Sequence, residues 1–170
     1  MEVIGKDMNK IILTDIEPGI NPSTDELANV VVTRMGLMPR KKGSTERMNM
    51  VLVELYERAK KANREKNPTE AVLTVEEMAV LAGITRQTMY DYLKRWLAID
   101  FISKTSFIGG NNKVVVGYKL NGSTLENAFD KARNRINSNL DFTAKYIGEL
   151  QKTVKNEKIS QGMKAKDING

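Results

Sequence analysis

Three features of the 170-residue sequence predict a mainly α-helical protein with one small β-hairpin and a long C-terminal helix. Thr74 to Leu97 reads as two short helices separated by a glycine. Phe101 to Ile108 and Lys113 to Leu120 read as strands joined by Gly109-Gly110-Asn111-Asn112. From Gly122 onward an apolar residue recurs every three or four positions for about thirty residues.

In chain order, residues 1 to 38 carry the weakest pattern. Ile11, Ile12 and Leu13 read as a short strand or as a plug docked on the core. Pro18-Gly19 and Asn21-Pro22 mark a turn. Asn21 or Ser23 can cap a helix with Asp25 and Glu26 in its first turn, Leu27, Val30, Val31 and Met35 as its stripe and Gly36 as its stop. The three consecutive valines keep a strand open as an alternative. This region reads equally as an oligomerisation or partner-binding arm and as a lid over the domain that follows. Arg40, Lys41 and Lys42 then form a basic connector. Such arms track phosphates or reach a minor groove, although a solvated loop has the same composition.

A longer helix is expected from Ser44 or Thr45 to about Lys66. Met48, Val51, Leu52, Leu55, Ala59 and Ala62 fall on its buried stripe, and Glu57, Arg58, Lys60, Lys61, Arg64 and Lys66 fall outside. Asn67-Pro68 ends it.

Thr74 and Glu77 stand at the spacing of a capping box, and Met78, Leu81 and Ala82 follow at helical intervals until Gly83 stops the pattern. Thr85 can cap a second helix, with Met89, Leu93 and Trp96 on one side and Arg86, Gln87, Tyr90, Lys94 and Arg95 mostly on others. Two short helices joined by a glycine-containing turn are the layout of the helix-turn-helix, whose second helix enters the DNA major groove. The stretch resembles that family. Ala79 is small where the helices approach, Gly83 sits in the turn, Ile84 plugs the core, and Met89 and Tyr92 take the apolar places of the second helix. Any tight helical hairpin shares that pattern, so the flanks carry the distinction.

The expected hairpin follows at once. Val114, Val116, Tyr118 and Leu120 alternate with Lys113, Val115, Gly117 and Lys119. A helical hairpin does not foretell an antiparallel pair of strands immediately after it, whereas a winged helix does. From about Ser44 to Val154 the chain therefore resembles winged helix-turn-helix transcriptional regulators, and it is similar in layout to small dimeric archaeal and mobile-element members. Residues 1 to 38 lie outside the resemblance. It implies that Thr85, Arg86, Gln87, Thr88, Tyr90, Lys94 and Arg95 meet DNA from the second helix. Arg86 would pair with guanine and Gln87 with adenine, Thr85 or Thr88 would touch phosphate or a thymine methyl, and Tyr90, Lys94 and Arg95 would hold phosphates. Asp91 would accept from cytosine or pair with Lys94 or Arg95. Asn111, Asn112 and Lys113 at the hairpin tip suit phosphate or minor-groove contact, and they also make a good turn.

Ser123 is the expected cap of the C-terminal helix, with Glu126 three residues on. Leu125, Phe129, Ala132, Ile136, Leu140, Thr143, Ile147, Leu150 and Val154 make a heptad seam with one stutter. About thirty residues at 1.5 Å rise span about 45 Å, longer than a domain of this size can cover. Pairing through Leu125, Phe129, Ile136, Leu140, Ile147, Leu150 and Val154 is the expected use of the seam, and folding back over residues 1 to 38 is the alternative. The polar tail after Lys155 reads as disordered. The division is thus an N-terminal arm and basic linker (1–43), a winged helix-turn-helix domain (44–121), a dimerisation helix (122–158) and a tail (159–170).

Composition excludes more than it suggests. The 27 Lys and Arg against 21 Asp and Glu leave a formal charge of +6, which favours a polyanionic partner only weakly. The chain has no Cys and no His, so zinc fingers, disulfides, thiol nucleophiles and His-based acid-base pairs cannot be built from it. No Asp/Glu pair stands in a metal-site context, and no enzyme, cofactor or metal is expected. The longest apolar run, Met78 to Ala82, is far short of the roughly twenty residues of a membrane span. A soluble, cytoplasmic protein is expected, with duplex DNA and a second copy as partners and no small-molecule effector evident. The expected function is sequence-specific DNA binding by a homodimeric transcriptional regulator on a pseudo-palindrome. Plasmid or viral replication or partition proteins, and interaction adaptors that do not bind DNA, are the alternatives.

Overall fold

The computed structural model describes residues 12–37 and 47–169. Among these the order is α1 (Thr24–Arg34), α2 (Met48–Glu65), a one-turn 3-10 helix (Pro68–Ala71), α3 (Val75–Ala82), α4 (Arg86–Ala98), β1 (Ile102–Ile108), β2 (Val114–Leu120) and α5 (Leu125–Asn169). The chain is mainly helical, with a two-stranded antiparallel hairpin and a long C-terminal helix. No helix among the described residues is long and apolar enough to cross a membrane.

Side-chain oxygens start α1, α3 and α4 at one common distance. Ser23 accepts from the Glu26 amide, Thr74 from Glu77 and Thr85 from Thr88, each at 3.2 Å. Helices α1 to α4 all end the same way. A residue at positive φ (Gly36, Lys66, Gly83 or Asp100) lets the next amide reach back to the carbonyl five residues earlier. In order, Leu37 donates to Val32, Asn67 to Ala62, Ile84 to Ala79 and Phe101 to Trp96.

The core lies among α1 to α4, the base of the hairpin and the first turns of α5. Every residue of the expected α2 stripe is buried. Trp96 packs edge-on against Phe101 with ring centroids 5.8 Å apart, and its Nε1 donates to the Leu37 carbonyl.

Several expectations are corrected. Ile12 and Leu13 form no strand and are exposed. The segment they begin lies along α1, where the Thr14 amide donates to Arg34 O and Arg34 Nη1 donates to Ile16 O. α1 buries Ala28 and Val32, with Met35 and Leu37 beyond it, while Leu27 and Val31 stay exposed. These four residues belong to the central core, so α1 covers the domain as a lid does. The expected caps Ser44 and Thr45 lie outside the described residues, and Arg47 stands before α2 without a side-chain cap.

Between the 3-10 helix and α3, Leu73 exchanges two 2.8 Å hydrogen bonds with Tyr118, adding a single-residue bridge to the hairpin. The bridge explains why the alternation of β2 is honoured only at its base. Tyr118 and Leu120 are buried there, whereas Val114 and Val116 project beyond the core.

Thr124, not Ser123, caps α5. Its Oγ1 accepts from the Asn127 amide at 3.1 Å, and Ser123 Oγ instead receives Asn127 Nδ2. The helix continues through residues 159 to 169, where a disordered tail was expected; no proline interrupts it, and Gly162 is carried within the helix. The chain separates into two compact units, one ending at Ala132 and one beginning at Arg133. The boundary falls inside α5 rather than before it because Ala128 and Ala132 are buried in the first unit.

Candidate nucleic-acid interface

α4 buries Met89, Leu93 and Trp96, which leaves Gln87, Asp91 and Lys94 in an outward line at intervals of four and three residues. Arg86 is exposed at the start of the helix. Its Nε lies 3.3 Å from Glu76 Oε1 on α3, its Nη2 donates to Tyr90 Oη at 3.3 Å, and its guanidinium stands 5.6 Å from the Tyr90 ring centroid. The Tyr90 hydrogen bond, then the electrostatic pull of Tyr90 and Glu76, raise the Arg86 pKa above its ordinary value. Arg86 is charged at any relevant pH, so these contacts matter by orienting a long side chain that would otherwise sample many rotamers. Lys94 Nζ is 3.7 Å from Asp91 Oδ1, one of the two pairings expected for that aspartate.

The remaining candidates divide by what already holds them. Thr85 Oγ1 caps α4 and donates to Thr88 Oγ1 at 2.9 Å, so the two hydroxyls serve the helix start. Tyr90 is half-buried beside Arg86. Arg95 is also half-buried and points toward the end of α1, with Nη1 3.5 Å from the Gly36 carbonyl. Its place on the helix faces the chain's own N-terminal region rather than the outward line of Gln87, Asp91 and Lys94.

At the hairpin tip Asn111, Asn112 and Lys113 are all exposed. Asn111 Oδ1 accepts from the Lys113 amide, the Gly109 amide donates to Lys113 O at 2.8 Å, and Asn112 takes the positive-φ position. The asparagines shape a three-residue loop, and Lys113 is the tip's cation. Arg40, Lys41 and Lys42 lie outside the described residues.

On α5 the expected seam splits. Leu125 and Phe129 are half-buried against the core of their own unit. Farther along, Leu140, Ile147, Leu150 and Val154 are 60%, 56%, 62% and 42% exposed. Phe142 and Tyr146, which the heptad reading passed over, are exposed as well.

Glu76 is the residue that sequence reasoning missed. It reads as a first-turn carboxylate complementing the dipole of α3, and no spacing rule shows it reaching across the turn to Arg86.

No protein-family profile matches the chain, and no curated protein or solved structure shows significant similarity to it.

Proposed function

We propose that the first unit is a winged helix-turn-helix domain and that the protein binds duplex DNA sequence-specifically as a homodimeric transcriptional regulator. The arrangement of α3, the three-residue turn and α4, followed directly by a hairpin whose base is tied to Leu73, carries this reading. α4 would lie in the major groove with Arg86 and Gln87 leading and Lys94 holding phosphate, while Lys113 reaches the backbone from the hairpin tip. The exposed apolar line Leu140, Ile147, Leu150 and Val154 supports pairing with a second copy, since burying each such side chain is worth about 1.5–3 kcal/mol. Two copies would read a pseudo-palindrome with half-site centres about 34 Å apart or a multiple of that.

Two carboxylates, Glu76 and Asp91, stand among the cations of the same face, which favours the adaptor reading to that extent. Selection from a random duplex library at low ionic strength tests both. A winged helix-turn-helix regulator enriches a two-fold-related motif. An adaptor retains no duplex.

A further inference from the structure

α2, the end of β2 and the residues leading into α5 form a surface pocket of about 500 Å3. Lys66, Lys119 and Lys131 converge on it, and no lining residue is acidic. Among the described residues the lysine ion pairs run elsewhere, from Lys60 to Glu57, Lys61 to Glu70 and Lys94 to Asp91. Lys131 Nζ instead donates to Asn121 Oδ1 at 3.1 Å, while Asn121 Nδ2 donates to the Asp100 carbonyl at 2.8 Å. The amide is thus oriented by backbone, and it holds one lysine in place.

The floor is open because α2 presents the small Ala59 and Ala62 there, with Asn63 beside them. The wall is close because Gly122 lacks a side chain, and a Cβ on it would lie 2.8 Å from Asn127 Cβ. Three lysines line one concavity, so a bound dianion would meet three cations there. Lysine meets phosphate as a point charge, and the volume lies within the range of small-molecule sites but far exceeds a lone phosphate.

We propose that this pocket binds a phosphorylated small molecule of nucleotide size, with its phosphate among Lys66, Lys119 and Lys131 and its organic part over the alanine floor. The site is separate from the hairpin tip, since Lys119 and Lys113 stand about 20 Å apart along an extended strand. It does not depend on the DNA-binding reading.

The test is amide chemical-shift mapping on the full chain. The probes are millimolar adenosine monophosphate, adenosine as the uncharged control, and a random duplex as the other source of phosphate. The expected result is saturable shifts at Lys66, Lys119, Asn121 and Lys131 with the monophosphate and none with adenosine. Lys119→Gln with Lys131→Gln should weaken that binding about tenfold or more while leaving the urea midpoint within error. The proposal is overturned by shifts that do not saturate, by shifts spread over lysines elsewhere, or by binding that survives the double substitution. A response of these residues to the duplex alone also overturns it, because the lysines would then serve the DNA backbone.

Discussion

Gly117→Ala offers the sharpest check on how the hairpin is joined to the helices. A Cβ at Gly117 would stand 2.5 Å from Val72 Cγ1 and 2.6 Å from the Leu73 carbonyl oxygen, closer than real contacts allow. Backbone is one of the two obstacles, so relief requires Leu73 to move away from β2. That movement gives up the two 2.8 Å hydrogen bonds between Leu73 and Tyr118. Each is worth about 1 kcal/mol net, and overpacking adds about 1–3 kcal/mol. Alanine's smaller unfolded-state entropy returns about 0.5–1 kcal/mol, leaving a loss of about 2–4 kcal/mol. Urea unfolding followed by fluorescence of Trp96, the single and fully buried tryptophan, reads this directly. Gly110→Ala is the matched control: nothing lies within 4 Å of its Cβ position and its φ is not positive, so it should keep the entropic gain of about 0.5–1 kcal/mol and its midpoint should not fall. A Gly117→Ala protein as stable as the parent would refute the close approach of Leu73 to the hairpin.

Other substitutions separate the remaining claims. Arg86→Ala should reduce discrimination at one base pair by about 1–3 kcal/mol in fluorescence anisotropy, and an equal loss on random duplex would show that Arg86 reads no base. Lys113→Ala should weaken binding to all sequences alike and lower the salt slope by about one; a sequence-dependent loss would contradict a backbone role. Ile147→Glu should yield a monomer in sedimentation equilibrium, and an unchanged mass would place the pairing surface elsewhere. Lys66→Gly should raise stability by about 1 kcal/mol, since a β-carbon at φ 52° is strained where glycine is not. A midpoint at or below the parent's would show that the lysine side chain gives back as much.

Periodicity revealed the α2 stripe and the α3 and α4 spans because each has apolar residues at the period its own backbone imposes, whereas both strands were legible from their β-branched and aromatic residues and the glycine-asparagine turn between them. Hydroxyl caps and glycine stops were equally legible, as Thr74, Thr85, Gly36 and Gly83 illustrate. Lys66 and Asp100 take the same left-handed position without glycine's signature, so the end of α2 was legible only from Asn67-Pro68 beyond it, and α4 offered no stop residue to read. Leu73 was invisible for a different reason: one bridging residue has no period. In α1 the choice between Leu27 with Val31 and Ala28 with Val32 turns on the partner surface, which local pattern does not contain. The candidate site shows the same limit. Arg86 and Lys94 were legible as cations on a polar face, whereas the hold of Glu76 on Arg86 and the turn of Arg95 toward Gly36 arise only when distant elements meet.

The hydrogen bond from Trp96 to Leu37 bears on how this protein can be dissected. A fragment starting after residue 43 would leave an indole N–H facing solvent or nothing. It would also vacate the volume of Val32, Met35 and Leu37 beside the helix that bears Arg86 and Gln87. Such a truncation changes the shape of the surface it was meant to isolate, and binding measured on it would report on a different object.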